Sequence, residues 1–230
     1  MRAAIIAFIA LAGSVATGAA RAAELGIYAG ISVSMVEKDS NRSVFENEAQ
    51  AVDDLAAFAP QSTTSTFDTK DSSYGFVVGW RLSEHLALEG GYMDLGDVKY
   101  REHSDGVFFA PTPPEQGSLQ KNIDSGTSGI QVSALGILPL SYRWEVYGRG
   151  GVLIANSTED VFVIDDLGTP GRIRFNQSGF DLLAGVGISF SLADIYSVRL
   201  EYQRVFDAGE DETLDAADVD LATLNVTVSF

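Results

Sequence analysis

The sequence predicts an all-β protein, an eight-stranded antiparallel up-and-down transmembrane β-barrel with long extracellular loops and short periplasmic turns. Three observations support this fold. Apolar and polar residues alternate with the period of two that is typical of a β-strand. The connections between the alternating segments are long and short in turn, and aromatic residues collect at both ends of the segments.

The alternation is clearest between Tyr147 and Tyr202. Near the end of that stretch, Leu200 and Tyr202 share an apolar face, and Arg199 and Glu201 share the opposite face. A soluble sandwich and a membrane barrel both give such alternation, but only the barrel encloses its charged face and turns its apolar face to lipid. The predicted strands are 26–36, 73–82, 86–95, 129–138, 144–155, 178–190, 196–206 and 219–230.

The connections decide between the two folds. Long polar segments at 37–72, 96–128, 156–177 and 207–218 alternate with short turns, and residues 49–59 favour a short helix within the first. Successive connections of an up-and-down barrel lie at opposite ends, so this order places every long loop on one side, as in bacterial outer-membrane barrels. Segments of about ten residues also match the length of a tilted membrane strand.

Aromatic residues are expected to form a girdle at each membrane interface, where their amphipathic rings are favoured. They lie on the lipid-facing side of the alternation, at the short-turn end and at the long-loop end. The predicted girdle residues are Trp80, Trp144, Tyr196 and Phe230 at the short-turn end, and Tyr92 and Tyr202 at the long-loop end.

Residues 1–22 have the pattern of a secretory signal peptide. Arg2 gives a positive start, residues 3–12 are apolar, and Ala20-Arg21-Ala22 is a small-x-small cleavage site. The apolar run is too short for a transmembrane helix. Residues 23–230 are therefore predicted to form the outer-membrane β-barrel.

Composition excludes several classes of function. The chain has no cysteine, and its 15 basic residues against 32 acidic ones leave no basic face for nucleic acid. His85 lies in a short turn and His103 in a long loop, so neither is on a predicted strand with a serine two positions away, and no enzyme is predicted. The acidic run from Glu210 to Asp220 fits no EF-hand spacing. No metal site and no cofactor are predicted.

Four stretches carry a resemblance to a known family: residues 26–34, Leu88-Glu89-Gly90-Gly91-Tyr92, Tyr147-Gly148-Arg149-Gly150-Gly151 and Arg199-Leu200-Glu201-Tyr202-Gln203. They resemble the transmembrane domain of the OmpA family of outer-membrane proteins. The resemblance covers residues 23–230 and implies the same barrel fold. Full-length members carry a peptidoglycan-binding domain after the barrel; because no residue follows Phe230 here, attachment to the cell wall is not expected.

Charged residues on the polar face are expected to fill the lumen, where three acids and three bases can neutralise one another. The resemblance implies that Glu89 and Arg199 form the central pair. In relatives a lysine on the fourth strand can compete for this pairing, but the matching positions here are Ser133 and Leu135. A static plug is the expected state, and a narrow pore is the alternative. The predicted lumen residues are Arg81, Glu89, Glu145, Arg149, Arg199 and Glu201.

The expected location is the outer membrane of a Gram-negative bacterium, reached after signal-peptide export. Outer-membrane lipid and lipopolysaccharide are the expected surroundings, and the strand ending in Phe230 resembles the signal read by the barrel-assembly machinery. The expected role is structural and surface-presenting. The alternatives are a small low-conductance porin, an adhesin that binds a host or cell-surface ligand through its acidic loops, and a lipid A-modifying enzyme.

Overall fold

The computed structural model describes residues 26–110, 113–165, 170–193, 195–208 and 217–230. The predicted signal peptide, 1–22, lies outside these ranges, as does most of the predicted loop at 207–218. Within the described ranges, no helix combines the length and the apolar character needed to cross a bilayer. The elements are β1 (Ile27–Lys38), α1 (Arg42–Leu55), β2 (Phe58–Asp68), β3 (Lys70–Ser83), β4 (Leu86–Phe108), β5 (Glu115–Pro139), β6 (Trp144–Asp165), β7 (Pro170–Ser191), β8 (Tyr196–Ala208) and β9 (Ala217–Ser229).

Eight of these strands form a closed antiparallel ring in the order β1-β3-β4-β5-β6-β7-β8-β9. The pairing of Tyr28 with Ser229 joins the first strand of the ring to the last. Closure gives every ring strand a neighbour on both sides, which a membrane requires because lipid offers no hydrogen bonds to the backbone. The predicted eight-stranded barrel is confirmed. The ninth strand, β2, pairs with β4 alone and lies outside the ring.

The outer surface of the ring is apolar and its interior is largely polar. On β8, Leu200 is 58% exposed whereas Arg199 is 7% exposed. On β1, Ile31 is likewise exposed whereas Tyr28 is buried. Apolar side chains therefore cover the outside of the ring, which is the surface that contacts lipid in a membrane barrel.

Four neighbouring strands, β4 to β7, continue well beyond the ring. They contain 23, 25, 22 and 22 residues, whereas β1, β8 and β9 contain 12 or 13. Their outer parts form a five-stranded sheet with β2, which we call the wall. The wall consists of β2 and of residues 97–108, 115–128, 156–165 and 170–179.

The wall corrects the prediction of loops at 96–128 and 156–177, which was wrong. Those segments are polar enough to resemble loops, but their charges pair between neighbouring strands, as Arg101 and Asp124 do at 2.6 Å. Apolar residues such as Leu119 and Ile123 are placed among them and are buried. Polar composition alone therefore did not distinguish a solvated sheet from a loop.

A β-bulge on β4 marks the point where ring becomes wall. The register shifts between Asp94 and Asp97, and Gly96 has a φ of +66°, a conformation that glycine adopts without strain. Asp94 Oδ1 accepts a hydrogen bond from the Gly96 amide at 2.9 Å. Because of the shift, odd-numbered residues point inward below the bulge, and even-numbered ones such as Tyr100 are buried above it.

The connection at 37–72 is also more ordered than predicted, since it contains both α1 and β2. The helix begins after Asn41, whose Oδ1 accepts the Ser43 amide at 3.1 Å, and it ends at Leu55, so the predicted helix at 49–59 was placed too late. The helix packs against the inner face of the wall. This cluster contains Phe45, Ala49, Val98, Tyr100, Ile123 and Val161.

Candidate functional site: the interior of the barrel and its cap

An ion pair lies in the interior near the short turns. Arg81 on β3 donates two hydrogen bonds to Glu145 on β6, at 2.7 Å and 3.1 Å. The same guanidinium donates to the Glu84 carbonyl oxygen at 2.9 Å, so the pair is held by the β3–β4 turn as well. A bidentate arginine–carboxylate contact of this kind fixes both side chains in one geometry.

Glu89 on β4 lies at the centre of the interior and is buried. Its Oε1 accepts hydrogen bonds from Arg199 Nη1 on β8 and from Tyr28 hydroxyl on β1, both at 2.6 Å. Its Oε2 lies 2.6 Å from Arg149 Nη2 on β6. One carboxylate is thus bound from three other strands, which offsets much of the cost of burying its charge.

Arg149 extends the network to a second carboxylate. It donates from Nε and Nη2 to Glu201 at 2.5 Å and 3.0 Å, and from Nη1 to Ser133 Oγ at 2.9 Å. Tyr147 hydroxyl donates to Glu201 Oε2 at 2.9 Å. Two arginines and two glutamates therefore form a neutral, fully connected group.

Two tyrosine rings support Arg199. Its guanidinium carbon lies 4.7 Å from the ring centre of Tyr28 and 5.6 Å from that of Tyr147, which are cation–π distances. The Tyr28 ring lies directly over Gly79, where an added Cβ would come within 2.1 Å of the ring. This glycine on β3 therefore makes room for the aromatic part of the network.

Five of the six predicted lumen residues are buried inside the barrel, and the sixth, Glu145, is partly buried beside Arg81. Glu89 contacts Arg199, and Glu201 contacts Arg149. The prediction missed both tyrosines. Tyr28 could have been found, because it lies on the polar face of its strand with small residues, where a large side chain can only enter the lumen.

An apolar layer crosses the interior on the wall side of this network. Its residues come from six ring strands, so it extends around the circumference. Ionised groups are strongly disfavoured among such side chains. The layer consists of Val36, Met93, Leu95, Leu153, Ala155, Leu183, Val205, Val219 and Leu221.

Helix α1 covers the opening above the apolar layer, and a buried lysine holds it there. Lys121 Nζ on β5 lies 2.6 Å from Asp53 Oδ1 on the helix and 2.7 Å from Glu102 Oε1 on β4, and it donates to the Ala49 carbonyl oxygen at 3.1 Å. Burial opposes ionisation of Glu102, but hydrogen bonds from Lys121, Tyr100 and Ser104 outweigh it and lower the pKa of this carboxyl. We call the helix and this lysine cluster the cap. Sequence reasoning missed it because it requires the wall.

A second contact between helix and wall is unfavourable at neutral pH. Glu48 on α1 and Glu159 on β6 line a cavity of about 60 Å³ beneath the helix, with Lys38 and several hydroxyls. Burial and the facing carboxylate raise the pKa of Glu48 to about 7, and burial likewise raises the pKa of Glu159. Protonation of this pair therefore favours the docked helix.

The predicted girdle residues occupy the two ends of the ring. Trp80, Trp144, Tyr202 and Phe230 are exposed on its outer surface, and Tyr92 and Tyr196 are partly buried there. Trp144 packs against Phe190 with ring centres 4.6 Å apart. Their role at the membrane interfaces stays a prediction.

The two histidines are far apart. His85 lies in the β3–β4 turn, whereas His103 lies on the wall part of β4, paired with Thr64 and Gln120. In the part of the chain that the structure describes, no group of three or more acidic or histidine side chains is arranged to hold a metal ion.

The chain matches known proteins along most of its length. Outer membrane protein A of Serratia marcescens is 25% identical over 159 residues, and that of Yersinia pseudotuberculosis is 26% identical over 158 residues. Each match covers 68% of this chain but only 38% of the relative. The crystal structure of Neisserial surface protein A has the same fold, with a TM-score of 0.50 at 12% identity, over 89% of this chain and 97% of that one.

A match to one protein family covers nearly the whole chain. The model of the OmpA-like transmembrane domain matches residues 22–230. Together with the closed ring and its apolar exterior, this match identifies the location as the outer membrane of Gram-negative bacteria. The chain belongs to the OmpA-like transmembrane domain family.

Proposed function

We propose that the protein is a closed outer-membrane barrel that presents the wall at the cell surface and does not conduct solutes. The observation that carries this proposal is that a charged network, an apolar layer and a capping helix follow one another along the interior. Each obstructs the passage in a different way, so their effects add.

The charged network obstructs the middle of the barrel. In the ring, β4 and β8 lie opposite each other, so the contact of Glu89 with Arg199 crosses the lumen. Eight-stranded barrels, of which OmpA-type proteins are an example, have interiors just wide enough for side chains to fill. Removing one partner of such a buried pair costs about 3–5 kcal/mol, so spontaneous opening is rare.

The apolar layer would exclude ions even if the network rearranged. Leu153, Leu183 and Leu221 project into it from β6, β7 and β9. A hydrated ion would have to lose water there without gaining a polar partner. The cap then covers this layer, because α1 is fastened at Asp53 and Ala49 by the buried Lys121.

Single-channel recording in planar bilayers tests the closed barrel. We expect the wild-type chain to carry no steady current, provided that an electrophoretic shift on boiling shows a folded, inserted barrel. The control pair is Ala155→Phe, which adds a ring to the apolar layer, and Ala184→Phe, which adds one to the lipid-facing surface. A wild-type current that Ala155→Phe reduces and Ala184→Phe leaves unchanged would overturn the proposal.

Cysteine labelling tests surface presentation, because the chain has no cysteine of its own. Ser62→Cys places a thiol on the exposed strand β2, and Leu140→Cys places one in the short β5–β6 turn. In intact cells, we expect a membrane-impermeant maleimide to label position 62 and not position 140. Labelling of position 140 alone would show that the wall faces the periplasm.

A further inference from the structure

The wall has two edges, and they are built differently. Its strand order is β2-β4-β5-β6-β7, so β2 lies at one edge and the outer part of β7 at the other. β8 pairs with β7 only from Leu182 to Ser191. Among the described residues, no strand covers the other side of residues 170–180. Every second residue there directs its backbone N–H and C=O to the open side.

The β2 edge carries features that prevent further pairing. Pro60 has no N–H, and the register with β4 shifts between Pro60 and Ser62. The following side chains are serines and threonines, and Arg42 on the helix donates to Ser65 Oγ at 2.6 Å. Prolines, bulges and short polar side chains are how natural sheets protect their edges.

The β7 edge lacks these features. Its ladder with β6 has no register shift, and Pro170 occurs only at its start. Its eleven residues, at about 3.3 Å each, give an open edge of roughly 36 Å. On the inner face, Ile173 is 49% exposed and Phe175 is 55% exposed, although neither lies in the membrane part of the ring. This edge therefore combines free backbone groups with exposed apolar side chains.

The outer face of the same edge is basic. Arg172 Nη2 lies 2.9 Å from Asp160 Oδ1, and Arg174 contacts both oxygens of that carboxylate at 2.8 Å and 2.9 Å. Two guanidiniums against one carboxylate leave a local positive charge on a chain with more than twice as many acidic as basic residues.

We propose that residues 170–180 form a docking edge on which an extended segment of another extracellular protein adds a strand to the wall. The segment alternates apolar residues, which cover Ile173 and Phe175, with acidic residues, which face Arg172 and Arg174. Strand addition of this kind takes affinity from backbone hydrogen bonds and specificity from alternate side chains. The inference rests on the proposed function only in placing the wall outside the cell.

A second copy of the chain fits this edge less well. Two barrels in one membrane are related by an axis along the membrane normal, so their β7 strands would run in the same direction. The same axis turns one sheet over relative to the other, so the arginines of one copy would lie beside the apolar Ile173 and Phe175 of its partner copy and gain no acidic residue.

The test uses the purified full chain in lipid nanodiscs and a labelled (Glu-Val)5 peptide, with (Lys-Val)5 as its charge control. We expect binding of the acidic peptide only, detected by fluorescence anisotropy. Phe175→Ser and the double variant Arg172→Glu/Arg174→Glu should each weaken it about tenfold, which is about 1.4 kcal/mol. Thr64→Glu on the β2 edge should not change it. Equal binding of both peptides, or no binding, would overturn the proposal.

Backbone methylation separates strand addition from simple charge attraction. A (Glu-Val)5 peptide N-methylated at its valines and one N-methylated at its glutamates lose N–H groups on opposite edges. We expect one of them to lose binding and the other to keep it, and equal effects would contradict strand addition. If the peptide does not bind while the maleimide still labels Ser62→Cys on intact cells, the docking edge alone is rejected. If the maleimide does not label this variant, the proposed function is rejected. A dimer of the wild-type chain in detergent, detected by analytical ultracentrifugation and lost in Phe175→Ser, would assign the edge to a second copy.

Discussion

The ring and the wall are built from the same four strands, β4 to β7, yet they follow different rules. In the ring, apolar side chains point outward, charges are enclosed, and each strand is paired on both sides. In the wall, the apolar side chains face a helix and the outer face is charged. Among the residues that the structure describes, both edge strands of the wall are open on one side. Lipid requires closure because it cannot satisfy a free backbone, whereas water tolerates an open edge.

The two regions also use buried charge differently. The ring encloses Glu89 and Arg199 as part of a neutral group that joins opposite strands. The wall uses Lys121 to attach one helix to one face of a sheet. Loss of a charge in the ring should therefore weaken the whole barrel, and loss of a charge in the wall should release only the cap.

The largest effect is expected for Glu89→Ala, which leaves Arg149 and Arg199 buried without their shared carboxylate. The free energy of unfolding should fall by about 3–5 kcal/mol. Urea unfolding in lipid vesicles, followed by the fluorescence of Trp80 and Trp144, measures this. The exposed Glu84→Ala is the control and should change stability by less than about 0.5 kcal/mol. Equal stability of the two variants would show that the network does not support the ring.

Lys121→Met should act on the wall alone, since it leaves Asp53 and Glu102 buried without their cation. We expect the docked helix to lose about 3 kcal/mol, the lower end of the range for a broken buried pair. Limited proteolysis within residues 42–55 should become faster while urea unfolding of the ring stays the same. The exposed Lys99→Met is the control. A coupled loss of ring stability would show that the cap and the ring fold as one unit.

A smaller loss of stability is expected for a substitution of Gly79, which makes room for the Tyr28 ring of the network. Gly79→Ala would place a Cβ 2.1 Å from the Tyr28 ring and force it to move, at a cost of about 1–3 kcal/mol. Gly150→Ala is a matched control on the lipid-facing surface, where an added Cβ meets nothing within 4 Å. The difference in urea midpoint between the two variants measures the effect. A Gly150→Ala variant as unstable as Gly79→Ala would attribute the loss to the backbone instead.

The smallest effect is a pH dependence confined to the cap. Burial raises the pKa of Glu48 from 4.5 to about 7 and raises that of Glu159, so protonation stabilises the docked helix. This stabilisation is complete below pH 4.5 and is lost as the pH rises through about 7. Lys38 also lines this cavity.

Amide exchange of residues 42–55, corrected for intrinsic rates, should therefore accelerate between pH 5 and pH 8. Glu159→Gln should remove most of this dependence, whereas Glu46→Gln, on the exposed side of α1, should leave it. A dependence unchanged in Glu159→Gln would assign it to other groups.

The ring could be predicted from the sequence because each membrane strand has one face in lipid and the other in the lumen, so apolar and polar residues alternate along it. Arg199 and Leu200 are adjacent, yet Arg199 lies in the lumen and Leu200 faces lipid. The alternation of long and short connections was the second guide, because a soluble meander has no reason to place its long loops at one end. The inward positions of Glu89, Arg149 and Glu201 followed from the same alternation. The same alternation places Tyr28 on the inward-facing side of β1, so its position in the lumen could also have been predicted.

The wall could not be predicted in the same way. Both of its faces contain polar residues: Lys121 shares the inner face with Ile123, and the opposite face carries Asn122 and Asp124 where a membrane strand would carry apolar residues. The contact of Lys121 with Asp53 joins residues 68 positions apart through a helix and a hairpin that composition did not reveal. The bulge at Gly96 also reverses the inward parity along β4, which no periodic reading of the strand anticipates.

Residue-resolved amide hydrogen exchange of the full chain in nanodiscs tests most directly whether the long connections continue the barrel as an ordered wall. We expect residues 99–108 and 119–128 to be protected to a degree that approaches the ring, because they are paired on both sides. Residues 170–180 should show protection at alternate positions only, because one side of that strand is open. Exchange of residues 97–128 at the rate of an unstructured chain would contradict this structure of the wall and with it the cap and the docking edge.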